Sequence, residues 1–283
     1  MGMKCKISWM LSMMMVLSML SLCPVKAEEL SSEGLDTNTP TEAKITKYLS
    51  DHDIDSSYED TYTKNITERG QKAKYDVADA GKLSEASQQK ALDYFNAMRY
   101  IAGLDPVTTN DEVHEIAQCS AYVNYLRGEM SHTIGDSESI VSQLSTDLLE
   151  KARTGSRHGN LDELLATYET EYMKLVDSVY DWFDDSDGFN ISDVGHRRWC
   201  LDPYLSEVGF GRAAGKAPEG AGYDNEMDST MYYQTQKTSA SQSSIAWPAQ
   251  NMPVGYFYSG EAWSYLSTNA LSDDGVTVDL TLK

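Results

Sequence analysis

Between Tyr204 and Gly211 the side chains alternate, with Tyr204, Ser206, Val208 and Phe210 on one side and Leu205, Glu207, Gly209 and Gly211 on the other. A period of two is the signature of an extended strand and excludes a helix here. Two glycines leave one face of that strand bare, and Glu207 shares the face, so room is expected above the carboxylate for a ligand, a metal or another catalytic group. Asp202-Pro203 predicts the turn before the strand. His196 follows Asp193-Val194-Gly195 and is placed at the strand's mouth. A surface histidine and a solvated strand glutamate are the alternative reading of the same residues.

The rest of the chain is helical before this strand and extended after it. Leu92, Phe95 and Met98 predict a helix over 84–102 with Gly103 as its stop. Val113, Ile116, Cys119, Val123 and Leu126 predict a second, capped by Asn110 or Asp111 and ending near Gly128. Leu164, Leu165, Tyr168, Tyr172, Leu175, Val179 and Trp182 predict a third and longer one over 160–183. Later strands are expected at 227–233 and, one-sided, at 276–282. This order implies an α+β domain, helices packed on an antiparallel sheet, over residues 84–283. Residues 28–83 read as an acidic, largely irregular leader or arm, with Ile45, Tyr48 and Leu49 allowing at most one short helix.

Residues 1–27 have the form of a signal peptide: Lys4 and Lys6, an apolar run over 7–22, then Val25-Lys26-Ala27. Export is therefore expected, with no transmembrane anchor in the mature chain. The formal net charge of −21 becomes more negative by three when Lys4, Lys6 and Lys26 leave, which argues against nucleic acid and anionic membranes as partners. Of the cysteines, Cys119 and Cys200 then form the one possible disulfide, against a reading as two buried thiols. Three motifs fail. His114-Glu115 has Gln118 where a zinc protease needs its second histidine. The calcium-like run Asp184 to Gly188 has Phe183 at the first ligand position and Val194 at the last. No Gly-x-Ser-x-Gly occurs, which argues against a serine nucleophile.

Asn96-Ala97-Met98-Arg99 with Gly103-Leu104-Asp105-Pro106, Ser131-His132-Thr133, Gly195-His196-Arg197-Arg198 and Glu207-Val208-Gly209-Phe210-Gly211 together resemble the bacterial exported branch of the CAP superfamily, the cysteine-rich secretory, antigen 5 and pathogenesis-related proteins. The resemblance implies an α-β-α sandwich with a central antiparallel sheet and a cleft. In that cleft His132, His196, Glu207 and Asp185 would gather, and the two histidines would hold zinc or another divalent cation. The family's Gly-Glu-Asn is represented by His158-Gly159-Asn160, so its glutamate is absent and His158 becomes a candidate third imidazole. Imidazoles with a carboxylate make a zinc site that acidifies a bound water, and Glu207 is then the candidate ligand, orienting group or general base. The function implied is an exported, non-catalytic module binding an extracellular or envelope ligand or protein. A metal-assisted hydrolase of peptide or envelope polymer is the first alternative, and a sterol or lipid carrier using the aromatic C-terminal segment the second.

Overall fold

The computed structural model describes residues 39–54, 56–64, 76–137, 139–168, 174–217, 220–235, 237–240 and 242–268. In chain order the elements are α1 (Glu42–Asp51), β1 (Tyr62–Lys64), β2 (Lys82–Leu83), α2 (Glu85–Ile101), α3 (Asp111–Arg127), α4 (Thr146–Arg157), β3 (Gly159–Ala166), α5 (Leu175–Asp184), α6 (Gly195–Cys200), β4 (Leu205–Lys216), β5 (Asn225–Thr235), β6 (Ser244–Trp247) and β7 (Ser264–Ser267). β3, β5 and β4 form an antiparallel sheet in that order. The expected signal peptide and the strand expected at 276–282 lie outside the described residues.

Short side chains start the helices. Ser84 Oγ accepts from Ser87 N at 3.2 Å, Asn110 Oδ1 from Val113 N at 3.1 Å and Ser145 Oγ from Leu148 N at 3.3 Å. α3 ends at Gly128, whose φ of 67° is the left-handed conformation that closes a helix without a Cβ clash. Gly128→Ala should lower stability by about 1 kcal/mol, read as a shift of the urea midpoint at unchanged slope. An unshifted midpoint would show that this cap contributes nothing.

The sheet divides the core in two. On one face α3 and α4 pack with Cys119, Val123, Leu148, Ala152 and Ala213. On the other, α1, α2, α5 and α6 gather round Phe95, Met98, Trp182, Phe183, Val208, Phe210 and Met231, joined by Ile245 and Trp247 of β6. Helix layers on both faces of an antiparallel sheet are the expected α-β-α sandwich. The glycine-cleared face of β4, however, is not open. A Cβ at Gly209 would collide with the backbone of Val113, and one at Gly211 with that of Ala117, because α3 lies directly on the strand. These glycines permit close helix–sheet approach and make no space for a ligand.

The long helix expected over 160–183 is replaced by β3 and α5. Leu164 and Leu165 fit a helical stripe, but residues 159–166 pair in full register with β5, from Gly159 opposite Tyr232 to Ala166 opposite Asn225. The pairing hydrogen bonds of a sheet outweigh a local helical period. Gly159 is needed at the junction, since a Cβ there would strike the carbonyls of Gly155 and Met231.

Cys119 and Cys200 are both free and buried. They are no disulfide, because Cys119 lies in the cluster on one face of the sheet and Cys200 in the cluster on the other. Burial pushes the Cys119 thiol up to about 12 and raises that of Cys200 as well.

The region read as a largely irregular leader holds α1, β1 and β2. Ile45 and Leu49 are buried in the core, and Tyr48 stacks on Tyr100 at 4.2 Å. Farther on, Asp60 Oδ2 accepts from Leu175 N at 2.8 Å and pairs with Arg212 Nε at 3.1 Å. Tyr58 Oη accepts from Val176 N at 3.0 Å. Side chains from a distant segment thus cap the amide end of α5 and fix where that helix begins.

Candidate functional site

The residues shared with the family motifs act first as clamps. Asn96 Nδ2 donates to Val107 O at 3.0 Å and its Oδ1 accepts from Val107 N at 2.9 Å. Arg99 donates to the carbonyls of Asp105, Cys200 and Asp202 at 3.1, 2.7 and 3.0 Å. Arg197 is buried and donates from Nε to Phe183 O at 2.6 Å, from Nη1 to Ala262 O at 2.6 Å and Ser264 Oγ at 3.2 Å, and from Nη2 to Asp184 O. It thereby satisfies the last carbonyls of α5, which have no partner within the helix.

α5 ends at Asp185, in the left-handed conformation at φ 48°. Its side chain is fully buried, with Oδ1 3.0 Å from His196 Nδ1 and Oδ2 accepting from Arg197 N at 3.1 Å. A carboxylate on Nδ1 orients the ring and assigns the proton to that nitrogen in the neutral imidazole. Asn160 Nδ2 donates to His196 O at 3.0 Å and holds the same turn against β3.

Beside this pair opens a cleft of about 540 Å³ lined by Asp162, Glu163, Asp181, Asp184, Asp185, Asp187 and His196, with Met130, Leu161, Trp182 and Phe189 among its apolar walls. Asp181 is pushed up to about 7, first by burial and then by the charges of Asp162, Asp177, Asp184 and Asp187. Burial also raises Asp162 and Glu163, the latter helped by Glu226. Asp162 Oδ2 and Asp184 Oδ1 are buried with no hydrogen-bond partner among the described residues. So many carboxylates together are stable only when some carry protons or a cation sits among them.

Of the residues expected in one site, His196 and Asp185 are in contact and line the cleft. His132 is exposed, with Nδ1 on Ser156 O at 2.7 Å, and does not line it. His158, also exposed, ends α4. Glu207 lies on the α3 side of the sheet, where its Oε1 accepts from Asn110 Nδ2 at 3.1 Å. The calcium-like run supplies Asp184, Asp185 and Asp187 to the cleft. There Asp187 Oδ1 accepts from Phe189 N at 2.8 Å, and Oδ2 from Asn190 Nδ2 at 2.8 Å, which shapes the turn.

The sequence reading missed Asp162, Glu163 and Asp181. Asp177, Asp181, Asp184 and Asp185 fall at helical spacing on one side of α5, and that was the available signal. Asp162 and Glu163 were hidden by their assignment to a helix. Among the described residues, the only group of three or more His, Cys, Asp or Glu with ligand atoms within 4.8 Å of one another is Glu163, Glu226 and Asp228. That oxygen set suits a hard cation such as calcium or magnesium better than zinc.

The helix–sheet–helix sandwich with an oriented histidine–carboxylate pair on one cleft wall is the arrangement that the family resemblance implied. The profile of the cysteine-rich secretory protein family, CAP, matches residues 92–223 and identifies that stretch as CAP-like. Several solved structures are similar, two of which illustrate the match. One is an extracellular protein containing an SCP domain from Bacillus anthracis str. Ames, 13% identical with a TM-score of 0.30, over 53% of this chain and 42% of that one. The other is a cysteine-rich secretory protein from Staphylococcus aureus subsp. aureus Mu50, 15% identical with a TM-score of 0.25, over 53% and 41%. The matches thus span about two-fifths of each solved chain. No curated protein matches. No helix among the described residues is long and apolar enough to cross a membrane.

Proposed function

We propose that this protein is an exported, non-catalytic CAP module whose acidic cleft beside His196 takes a divalent cation through carboxylate oxygens and engages a ligand or partner outside the cell. The observation that carries the reading is the convergence of six carboxylates and one imidazole on a single cleft. Glu163 belongs both to that cleft and to the three-carboxylate group beside it. Export is supported by the form of residues 1–27 and by the family. The cleft's side chains would hold the ion and fix its position, while the apolar Met130 and Phe189 beside them offer contact area for a larger ligand.

Calorimetric titration of calcium at pH 8 is expected to give a dissociation constant of about 10⁻⁴–10⁻³ M, the range of extracellular calcium modules. Asp181→Asn and Glu163→Gln should each abolish the heat, and His132→Ala should leave it unchanged. Zinc binding lost equally in His132→Ala and His196→Ala would instead put both imidazoles on one ion and overturn the oxygen-site reading.

A further inference from the structure

A second cavity, of about 460 Å³, lies among β2, α2 and α3 and shares no lining residue with the cleft beside His196. Its buried polar lining is made of Gln88, His114 and Gln118, which are 7%, 5% and 4% exposed. Two of these are taken up by the protein itself. His114 Nδ1 accepts from Phe210 N at 3.0 Å, and its Nε2 lies 2.7 Å from Thr109 Oγ1 as the donor. Gln118 Nε2 donates to Ala80 O at 3.0 Å and Arg212 O at 2.9 Å, and its Oε1 accepts from Arg212 N at 3.1 Å.

Gln88 differs. It lines the cavity from within α2, and its amide forms no hydrogen bond with any described residue. Its neighbour Gln89 is exposed, yet donates to Asp93 at 2.8 Å. A largely buried side chain that turns its amide to a cavity and not to the protein offers its hydrogen-bonding atoms to whatever enters, so its presence on this wall points to a ligand.

Asp79, Asp111, Glu115 and Lys82 complete the lining, three carboxylates against one ammonium. Lys82 Nζ meets Asp111 Oδ1 at 2.9 Å, and Glu115 Oε1 meets Lys151 Nζ at 2.7 Å. A cation is therefore favoured, and the volume falls within the range of small-molecule sites, roughly 300–1,000 Å³. An ammonium is compact and strongly hydrated, whereas a guanidinium spreads its donors over a planar fork that reaches a carboxylate and an amide oxygen together. We propose that this cavity binds a guanidinium group, with Gln88 Oε1 accepting from it inside and the Asp111 and Glu115 carboxylates meeting its charge.

The test is calorimetric titration of the full chain with agmatine, free arginine and N-acetyl-arginine amide, with citrulline as the neutral isostere. Guanidinium compounds should bind and citrulline should not. Binding of agmatine and free arginine would mark a small-molecule site, and binding of the blocked arginine alone would mark a peptide side chain; either supports the proposal. Gln88→Leu should weaken binding by at least about tenfold with the denaturation midpoint of the unliganded protein undiminished. Glu115→Gln should weaken binding with the fold intact. His132→Ala, whose ring does not line this cavity, should leave guanidinium binding unchanged. Absence of binding, equal binding of citrulline, or arginine binding undiminished in Gln88→Leu would each overturn the assignment.

Discussion

Replacing Arg197 by alanine is expected to lower the free energy of unfolding by about 3–5 kcal/mol, the largest effect of any single substitution considered. The guanidinium is 1% exposed and donates to two carbonyls at the end of α5, to Ala262 O and to Ser264 Oγ. Truncation leaves these acceptors buried with no donor and opens a void where the side chain lay. Arg197→Lys should recover little, since one ammonium cannot span carbonyls from two directions as the planar fork does. Urea denaturation gives the magnitude, and hydrogen exchange should show the last turn of α5 losing protection first. A loss below about 1 kcal/mol would mean that water reaches these carbonyls and that Arg197 is no clamp.

Asp181→Asn should stabilise the protein at pH 8, by about 2 kcal/mol once partial exposure is allowed for, and should flatten the dependence of stability on pH. The folded carboxyl titrates at about 7, raised from an ordinary 3.8. Between these two values the folded state keeps a proton that the unfolded chain has released. Asp181 therefore makes stability fall as pH rises from 3.8 to about 7, and the penalty is complete above that. His114 acts the other way, because burial lowers its pKa, so stability is lost as pH falls below the ordinary 6.5. The two slopes overlap, and the wild-type curve alone would mix them. Subtracting the Asp181→Asn curve isolates the carboxyl. A difference that does not change between pH 4 and pH 8 would show that Asp181 is not crowded by its neighbours. Calcium at pH 8 should stabilise the wild type and not the variant.

Much of this organisation can be read from local pattern. α2, α3 and their caps stand where the apolar spacing and Ser84, Asn110 and Gly128 place them. β4 and β5 occur where alternation predicts strands. The motifs around Asn96, His196 and Gly209 were legible as a family, and the structure supplies the reasons: a clamp on Val107, an imidazole on Asp185, and a strand bare enough for α3 to lie on. The reading failed where one stretch carries two periods. Leu164 and Leu165 fit a helix as well as they fit β3, and only pairing with β5 separates these possibilities.

The sequence by itself determined the class of fold, because capping and periodicity act within a few residues of the chain, while the family resemblance of its motifs implied that His196 and Asp185 share a cleft with His132 and Glu207. The sandwich decided the rest. It put a sheet between Cys119 and Cys200, turned Glu207 toward α3, left His132 outside the cleft, and brought Asp162 of β3 beside Asp181 of α5. Each of those outcomes depends on which face of the sheet a side chain occupies and on what the opposite helix covers. Alternation along a strand tells apart two faces, but it carries no label for which face is buried against which partner.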